Sequence, residues 1–316
     1  MNKVTFSIRL FLDAFRDTIK VINHFELTKI NNRLIYFKLF LIKFFFSNQW
    51  IRNLIKTKKV ELKNLKENQT FNGSTSQILA SLDMKGYSEL FNLNDTKLKE
   101  LKTLVYESED YDRKKINSKN FSLKKKYNEG EQQYFDRLRS NEISRLTGTI
   151  NLNNNNSLLE IILSKSVLEI AASYLNCRDI SINATFFISN SMTISEKEKY
   201  TNAQYFHWDN DFTKFLKLYI YLTDVEDGCG PHIYIPFTHK KKKPEHKLCR
   251  LYSDENIFNS YDKKKVFYGK AGSCFFVDGY GLHKGETPYL KPRLMVNIHF
   301  GRGKILYSKN DKYIKI

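Results

Sequence analysis

Four polar residues in the second half of the chain have the types and the order that iron chemistry requires. His207 and Asp209 lie two positions apart, His283 follows much later, and Arg293 comes ten positions after it. On a β-strand, residues 207 and 209 would point to the same face, because side-chain direction alternates along a strand. Two imidazoles and one carboxylate form the facial triad of non-haem Fe(II) sites, which leaves metal positions open for oxygen and a cosubstrate. The chain therefore predicts an iron site at His207, Asp209 and His283.

Arg293 adds a partner for a carboxylate cosubstrate such as 2-oxoglutarate. A guanidinium group binds a carboxylate in a planar, two-pronged manner that an ammonium group cannot reproduce. A single histidine or arginine taken alone would be interpreted as structural. The order and spacing of the four residues together favour a site.

Short strands after residue 175 are expected to carry these residues. Runs rich in Val, Ile, Phe and Tyr alternate with Gly, Asp and Pro, which is typical of strands and turns. Such a series predicts two packed sheets, a mainly β fold (α+β, with flanking helices) of the jelly-roll or double-stranded β-helix type found in cupins. The predicted strands are Ile180–Ser189, Gln204–Asp209, Lys217–Leu222, His232–Phe237, Lys265–Tyr268, Ser273–Val277 and Arg293–Phe300.

Helical patterns precede the strands. Apolar residues recur at helical spacing, and an Asn-rich turn at residues 151–156 separates the last two segments. The predicted helices are Gln77–Met84, Asp95–Tyr106, Glu131–Leu146 and Leu158–Leu175.

The N-terminal segment differs from the rest of the chain. Residues 1–66 contain 14 Lys and Arg against 4 Asp and Glu, a net charge of +10 out of +18 for the whole chain. We predict a basic helical extension over residues 1–70 and a catalytic domain over residues 71–316. Aromatic residues beside basic ones fit a helix resting on an anionic membrane surface, and they equally fit a helix that packs on the main domain.

Composition limits the location and the partners. The four cysteines are scattered and predict free thiols in a reducing compartment. A secretion signal and an uninterrupted apolar stretch of membrane-spanning length are not expected, so we predict a cytoplasmic protein, or one peripheral at the inner membrane surface. Aromatic residues fall in strand patterns and suggest no nucleic-acid partner. A basic loop (Lys240–Lys243, Lys247 and Arg250) is either solvated or attracts an anionic substrate.

Several segments together resemble the phytanoyl-CoA dioxygenase branch of the Fe(II)/2-oxoglutarate-dependent oxygenases. The resemblance extends from about residue 76 to residue 302 and includes Ser81–Tyr87, at the entry to the domain. The other matching segments are His207–Asp209, Tyr219–Asp224, Gly230–Lys240, Gly272–Asp278, His283–Gly285 and Pro292-Arg293. The family pattern has Gly before the Ser-His that ends its turn, whereas this chain has Phe237.

The resemblance implies a double-stranded β-helix core and a reaction that uses Fe(II), 2-oxoglutarate and O2. It implies that His207, Asp209 and His283 bind iron and that Arg293 pairs with the distal carboxylate of 2-oxoglutarate. A hydroxyl residue is common two positions after the distal histidine, but Gly285 stands there, so Thr287 or a tyrosine such as Tyr219 is expected to substitute. The remaining expected contacts to substrate or to the ligands are Gln204, Trp208, His239, Asn297 and His299.

The expected activity is hydroxylation of a small or carrier-bound organic substrate, with release of succinate and CO2. Related halogenases lack the carboxylate ligand, so Asp209 favours hydroxylation or desaturation. Two alternatives stay open. One is a cupin-like metal-dependent isomerase or epimerase that uses no 2-oxoglutarate, and the other is a membrane-associated binding protein that has the fold without the catalysis.

Overall fold

The computed structural model describes residues 74–111, 122–152, 157–202, 204–209, 214–247, 251–302 and 312–315. The N-terminal extension predicted over residues 1–70, with its proposed membrane contact, lies outside these residues, as do Cys249 and Arg250. No helix among the described residues has both the length and the apolar character needed to cross a membrane. The three cysteines in the described part, Cys177, Cys229 and Cys274, are buried free thiols.

Helices lie mainly ahead of the β-structure in the chain, as expected. A short 3-10 turn at Pro244–His246 follows the basic loop. The α-helices of the described residues are α1 (Thr75–Lys85), α2 (Asp95–Tyr106), α3 (Glu131–Ser140), α4 (Ser157–Ile162), α5 (Lys165–Leu175), α6 (Glu196–Thr201) and α7 (Asp254–Phe258).

Most of the remaining described residues form antiparallel strands. They are β1 (Phe91–Asn92), β2 (Arg145–Thr149), β3 (Asp179–Ser189), β4 (Phe206–His207), β5 (Phe215–Tyr221), β6 (His232–Tyr234), β7 (Leu251–Tyr252), β8 (Lys265–Phe267), β9 (Ser273–Val277), β10 (His283–Gly285), β11 (Arg293–Arg302) and β12 (Lys312–Lys315).

Two sheets result. The large sheet has seven strands in the order β1-β9-β5-β11-β3-β12, with β2 paired to the other end of β3. The small sheet has five strands in the order β7-β4-β10-β6-β8. Strands adjacent in each sheet are distant in sequence, and this crossing connectivity forms the jelly roll that the strand pattern predicted.

The helices cover one face of the large sheet. On β11, Leu294, Val296 and Ile298 belong to the main hydrophobic core together with residues of α1 and α5, whereas Met295 packs in a second cluster on the opposite face. This alternation places Arg293 and Met295 on the face that is turned away from the helices. The second face is therefore available to form a site between the two sheets.

Two predicted helices differ in the structure. The helix predicted over Glu131–Leu146 ends at Ser140, because Glu142 adopts a left-handed conformation (φ 57°), and Arg145–Thr149 instead pairs with β3 as strand β2. The helix predicted over Leu158–Leu175 is two helices, α4 and α5, separated at Leu163 and Ser164. The prediction for Asp95–Tyr106 is confirmed in full.

Candidate metal centre

Strand pairing in the small sheet brings the three predicted ligands together. His207 on β4 and His283 on β10 are direct neighbours across an antiparallel pair. Asp209 follows β4, and its backbone N–H donates a hydrogen bond to the Gly279 carbonyl at 2.8 Å. The loop that precedes β10 therefore fixes the position of the carboxylate beside both imidazoles.

The resulting group of side chains could hold a metal ion. Ligand atoms of His207, Asp209 and His283 all lie within 4.8 Å of one another, and all three residues are buried. The Nε2 atom of His283 lies 3.4 Å from Asp209 Oδ2, and that of His207 lies 3.9 Å from Oδ1. Two imidazoles and a carboxylate in this arrangement fit a site of the facial-triad type.

Backbone carbonyls orient both imidazole rings. His207 Nδ1 lies 2.9 Å from the Tyr205 carbonyl oxygen, and His283 Nδ1 lies 2.8 Å from that of Gly281. A carbonyl only accepts hydrogen bonds, so each Nδ1 is the protonated, donating nitrogen. In this tautomer the Nε2 atoms carry lone pairs on the side of the carboxylate, which is the usual arrangement around metal-binding histidines.

Lys217 on β5 forms an ion pair with the carboxylate. Its Nζ lies 2.5 Å from Asp209 Oδ2. Burial opposes the charged form of Asp209, but the Lys217 cation beside it outweighs burial and holds the pKa of Asp209 well below its usual value. The carboxylate is therefore ionised at neutral pH, as a metal ligand must be.

A cavity of about 170 Å³ opens beside these residues. An engineered protein cavity of about 150 Å³ holds a benzene molecule, so this volume admits a small organic molecule. The residues that line the cavity are Arg145, Phe187, His207, Asp209, Lys217, Tyr219, His232, His283, Gly285, Arg293 and Met295.

Arg293 lies deep in this cavity. It is 4% exposed, its Nη1 donates to the Gly230 carbonyl, and its Nη2 lies 3.4 Å from Ser189 Oγ. Its Nε has no hydrogen-bond partner among the described residues, and burial lowers its pKa. Gly285 leaves room for the guanidinium, since a Cβ at position 285 would lie 2.9 Å from Nη2.

The other two predicted cosubstrate contacts differ in position. Tyr219 lines the cavity with its ring 4.8 Å from that of His232, and burial raises its pKa. Thr287 does not line the cavity, because the backbone leaves the small sheet after Gly285. The position opposite Arg293 is occupied by Gly285 itself.

The residues predicted as further contacts lie outside the cavity lining. Trp208 points away from the ligands into a cluster with Tyr280, as strand alternation requires. Asn297 Nδ2 lies 3.2 Å from Thr185 Oγ1, and His299 packs against Phe215. Gln204 is buried, and its side-chain Oε1 has no partner among the described residues.

His239 holds the turn in which the chain departs from the family pattern. Its Nε2 lies 3.1 Å from the Asp83 carbonyl oxygen. Phe237, which stands where the family has Gly, adopts a left-handed conformation with φ 68°. A bulky residue in this region is strained by roughly 1–2 kcal/mol. The turn therefore has the left-handed backbone that usually requires glycine, although Phe237 occupies this position.

Part of the basic loop faces inward. Lys242 is buried, with its Nζ 3.3 Å from the centre of the Tyr280 ring, whereas Lys240 pairs with Asp83 at 3.0 Å. The loop is therefore neither fully solvated nor directed as a whole toward the cavity.

The cavity residues that were not predicted as site residues include Arg145, Phe187, His232 and Met295. His232 was interpreted as an ordinary strand residue, but its ring stacks 5.4 Å from His283 and its Nε2 has no partner among the described residues. Arg145 fell in a predicted helix. The strand alternation of Arg145, Leu146 and Thr147 was the signal available for it.

Comparisons with known proteins place the fold. No protein-family model matches the chain, and no curated protein matches it in sequence. Among solved structures, HygX from Streptomyces hygroscopicus, with nickel and 2-oxoglutarate bound, is 10% identical with a TM-score of 0.50, covering 73% of this chain and 88% of HygX. The chain thus shares its fold with HygX.

Two further structures are also similar. SnoN, a non-heme alpha ketoglutarate dependent epimerase from nogalamycin biosynthesis, is 11% identical with a TM-score of 0.49, covering 77% of this chain and 98% of SnoN. SnoK, a non-heme alpha ketoglutarate dependent carbocyclase that is also from nogalamycin biosynthesis, is 12% identical with a TM-score of 0.48, covering 80% of this chain and 100% of SnoK.

Proposed function

We propose that this protein is a non-haem Fe(II)- and 2-oxoglutarate-dependent oxygenase that oxidises a small organic substrate. The observation that supports this most strongly is that one buried cavity contains both the His207, Asp209 and His283 group and the Arg293 guanidinium. Either feature alone has simpler explanations. Together they provide a metal site and a carboxylate site within the length of one small molecule.

The residues divide the binding between them. His207, Asp209 and His283 would hold Fe(II), with the imidazoles fixed by the Tyr205 and Gly281 carbonyls. Bound Fe(II) with 2-oxoglutarate would supply oxygen activation, with succinate and CO2 as coproducts. Arg293 would bind the distal carboxylate of 2-oxoglutarate through its planar fork.

The surroundings of the site exclude water and fix charge. Phe187, Tyr219 and Met295 form an apolar lining beside the polar groups. Burial away from bulk water strengthens the attraction between Arg293 and a carboxylate. Lys217 keeps Asp209 ionised and in place.

We propose hydroxylation as the reaction, because Asp209 provides the carboxylate that halogenating relatives lack. Membership of the phytanoyl-CoA dioxygenase branch, a carrier-bound substrate and peripheral membrane contact through residues 1–66 remain part of the proposal. The isomerase without 2-oxoglutarate is disfavoured by the deep position of Arg293, which that chemistry would not need.

An anaerobic titration tests the proposal. Fe(II) and 2-oxoglutarate added together to the wild-type protein should give the weak visible charge-transfer band of the chelate. The variants His207→Ala and Asp209→Ala should lose the band, and Arg293→Gln should weaken 2-oxoglutarate binding more than iron binding. The matched control is Arg139→Gln, whose side chain is 41% exposed on α3.

The alternatives give different results. A metal-dependent isomerase would bind the metal and show no chelate band, and a binding protein without catalysis would do neither. An Arg293→Gln variant with unchanged 2-oxoglutarate affinity would remove the assignment of Arg293. Once a substrate is found, a product heavier by one oxygen atom supports hydroxylation, and a product of unchanged mass contradicts it.

A further inference from the structure

A second arginine lies on the wall of the same cavity. Leu146 of β2 packs in the main core, so its neighbour Arg145 faces the opposite side of the sheet, toward the cavity. Across the large sheet, Arg145 pairs with Ser189 of β3, and Ser189 pairs with Arg293 of β11. The two guanidinium groups therefore start from the same row of the sheet, on either side of Ser189.

Arg145 has no carboxylate partner among the described residues. Its guanidinium lies over the Phe187 ring at 5.0 Å, and its Nε makes no hydrogen bond to them. By contrast, Arg137 of the nearby helix α3 donates to Glu129 at 2.7 Å and 3.0 Å. Burial, and then the charge of Arg293, lower the pKa of Arg145 to about 10, so it remains a cation at neutral pH.

The charges around the cavity leave Arg145 unmatched. Among the described lining residues, Arg145, Lys217 and Arg293 are cations and only Asp209 is an anion, which Lys217 already pairs. In the proposed function, the two carboxylates of 2-oxoglutarate are matched by the metal and by Arg293. A cation that is partly withdrawn from water without a counter-charge costs stability, and an anionic ligand would lower that cost.

Depth separates the roles of the two arginines. Arg293 is buried, whereas Arg145 on the edge strand β2 is partly exposed, so the Arg145 guanidinium is the more accessible of the two. A cosubstrate that fills the deep part leaves the outer part for the molecule that is oxidised. The outer cation is then in the position to meet that molecule.

We propose that Arg145 binds an acidic group of the primary substrate, so that the protein oxidises organic acids whose carboxylate or phosphate pairs with this guanidinium. The inference rests on the proposed function in assigning Arg293 to 2-oxoglutarate. Guanidinium groups bind both oxyanions with paired hydrogen bonds, which a neutral amide cannot equal. The substrate class is therefore set by a residue outside the metal site.

Matched acid and amide probes test the proposal on the full chain. Hexanoate, benzoate and phenyl phosphate are compared with hexanamide, benzamide and phenol by calorimetric titration, under anaerobic Fe(II) and saturating 2-oxoglutarate. In the wild type, at least one acid should bind roughly tenfold or more tightly than its neutral counterpart. Whether the carboxylates or the phosphate show this ratio identifies the oxyanion.

The variants locate the effect. Arg145→Gln should bring the acid-to-neutral ratio close to one while 2-oxoglutarate affinity stays within about twofold. Arg145→Lys should recover part of the ratio, because it restores the charge without the fork. Arg139→Gln removes the same charge from the surface and should change nothing, which excludes a general effect of the basic chain.

Two results would overturn the inference. If the wild type bound acids and neutral probes equally, the proposed anion site would be wrong. If Arg145→Gln weakened 2-oxoglutarate binding as severely as Arg293→Gln, Arg145 would be a second residue that binds the cosubstrate. Failure of the proposed function looks different, since no chelate band would form in the wild type. The acid-to-neutral ratio can still be measured without 2-oxoglutarate and decides Arg145 separately.

Discussion

The two sheets form opposite walls of the cavity, and the walls are built differently. The small-sheet wall consists of His207, Asp209, His232 and His283. Each proposed ligand there is held by a hydrogen bond to a backbone carbonyl, and Asp209 is also paired with Lys217. On the large-sheet wall, Arg145 and Arg293 face the cavity without a carboxylate partner among the described residues. The proposed metal ligands of one wall are held by groups of the protein, whereas the two arginines of the other wall are left for a bound anion.

This difference follows from what each wall would bind. A metal requires lone pairs in fixed directions, so its ligands must be oriented before the metal arrives. Anionic molecules bring their own acceptors, so the cations that receive them need only be placed and kept from pairing elsewhere. Such cations destabilise the empty protein, and ligand binding should stabilise it strongly. Lys217 extends from β5 of the large-sheet wall, and its ion pair with Asp209 links the two walls.

The largest effect on stability is expected from removing the ion pair between Lys217 and Asp209. Lys217→Met leaves Asp209 as a buried carboxylate without its cation, which should lower the free energy of unfolding of the metal-free protein by about 3–5 kcal/mol. Added Ni(II), used as a redox-stable probe, should recover most of the loss, because the metal replaces the cation. Urea unfolding with and without Ni(II) measures both quantities.

Lys102→Met is the matched control for this comparison. Lys102 pairs with Glu131 at 3.1 Å on the surface. Lys102→Met should therefore lower the free energy of unfolding only slightly, and by the same amount with and without Ni(II). If the Lys217 variant lost the same stability with and without Ni(II), the metal would not occupy the carboxylate. The proposed link between the two walls would then be wrong.

A smaller effect is expected from disturbing the support of one ligand. A Cβ at position 281 would overlap the Tyr234 ring, which is buried and donates to the Asp278 carbonyl, so we expect Gly281→Ala to displace the loop whose carbonyl accepts from His283. Loss of such support typically weakens metal binding about 10- to 100-fold. Competition with a chromophoric chelator measures the affinity. Gly130→Ala, where the nearest atom to the new Cβ is 3.5 Å away, should leave it unchanged. Destabilisation with intact metal affinity would contradict the role of the Gly281 carbonyl.

The fold of the described residues and the position of the expected ligands could be predicted because they depend on local patterns. Alternation along short strands placed His207 and Asp209 on one face and Trp208 on the other, and it separated Arg293 from Leu294. His283 was identified as the third ligand because it lies between the His207 and Asp209 pair and Arg293 in the sequence. These features need only strand periodicity and the preference of each side chain for its environment.

The missed residues depend on pairing between distant segments. Arg145 was assigned to a helix because the periodicity of α3 continued past Ser140, and only the edge of β3 makes residues 145–149 a strand. Thr287 was chosen by its sequence distance from His283, but the backbone turns away after Gly285. The carbonyls that orient the imidazoles belong to turns, and the geometry of these turns cannot be predicted from the residue types in them.

The smallest expected effect concerns His299, which shares a face of β11 with Arg293 but lies outside the cavity lining. Burial, and then the charge of Lys217, lower the pKa of His299 to about 3, whereas an unfolded histidine titrates near 6.5. The folded protein therefore keeps His299 neutral while the unfolded chain takes up a proton below pH 6.5. The stability contributed by the neutral form is complete above that pH and is lost as the pH falls toward 3.

Between pH 7 and pH 5, His299 alone should lower the free energy of unfolding by about 2 kcal/mol. His299→Gln should reduce the pH dependence of the wild type by this amount in urea unfolding of the metal-free protein. Burial also lowers the pKa of His232, His239 and His246, and these residues are present in both proteins. Their contributions cancel in the difference between the two curves. Parallel curves would mean that His299 becomes protonated in the folded state as readily as in the unfolded chain, and would contradict the lowering of its pKa by burial.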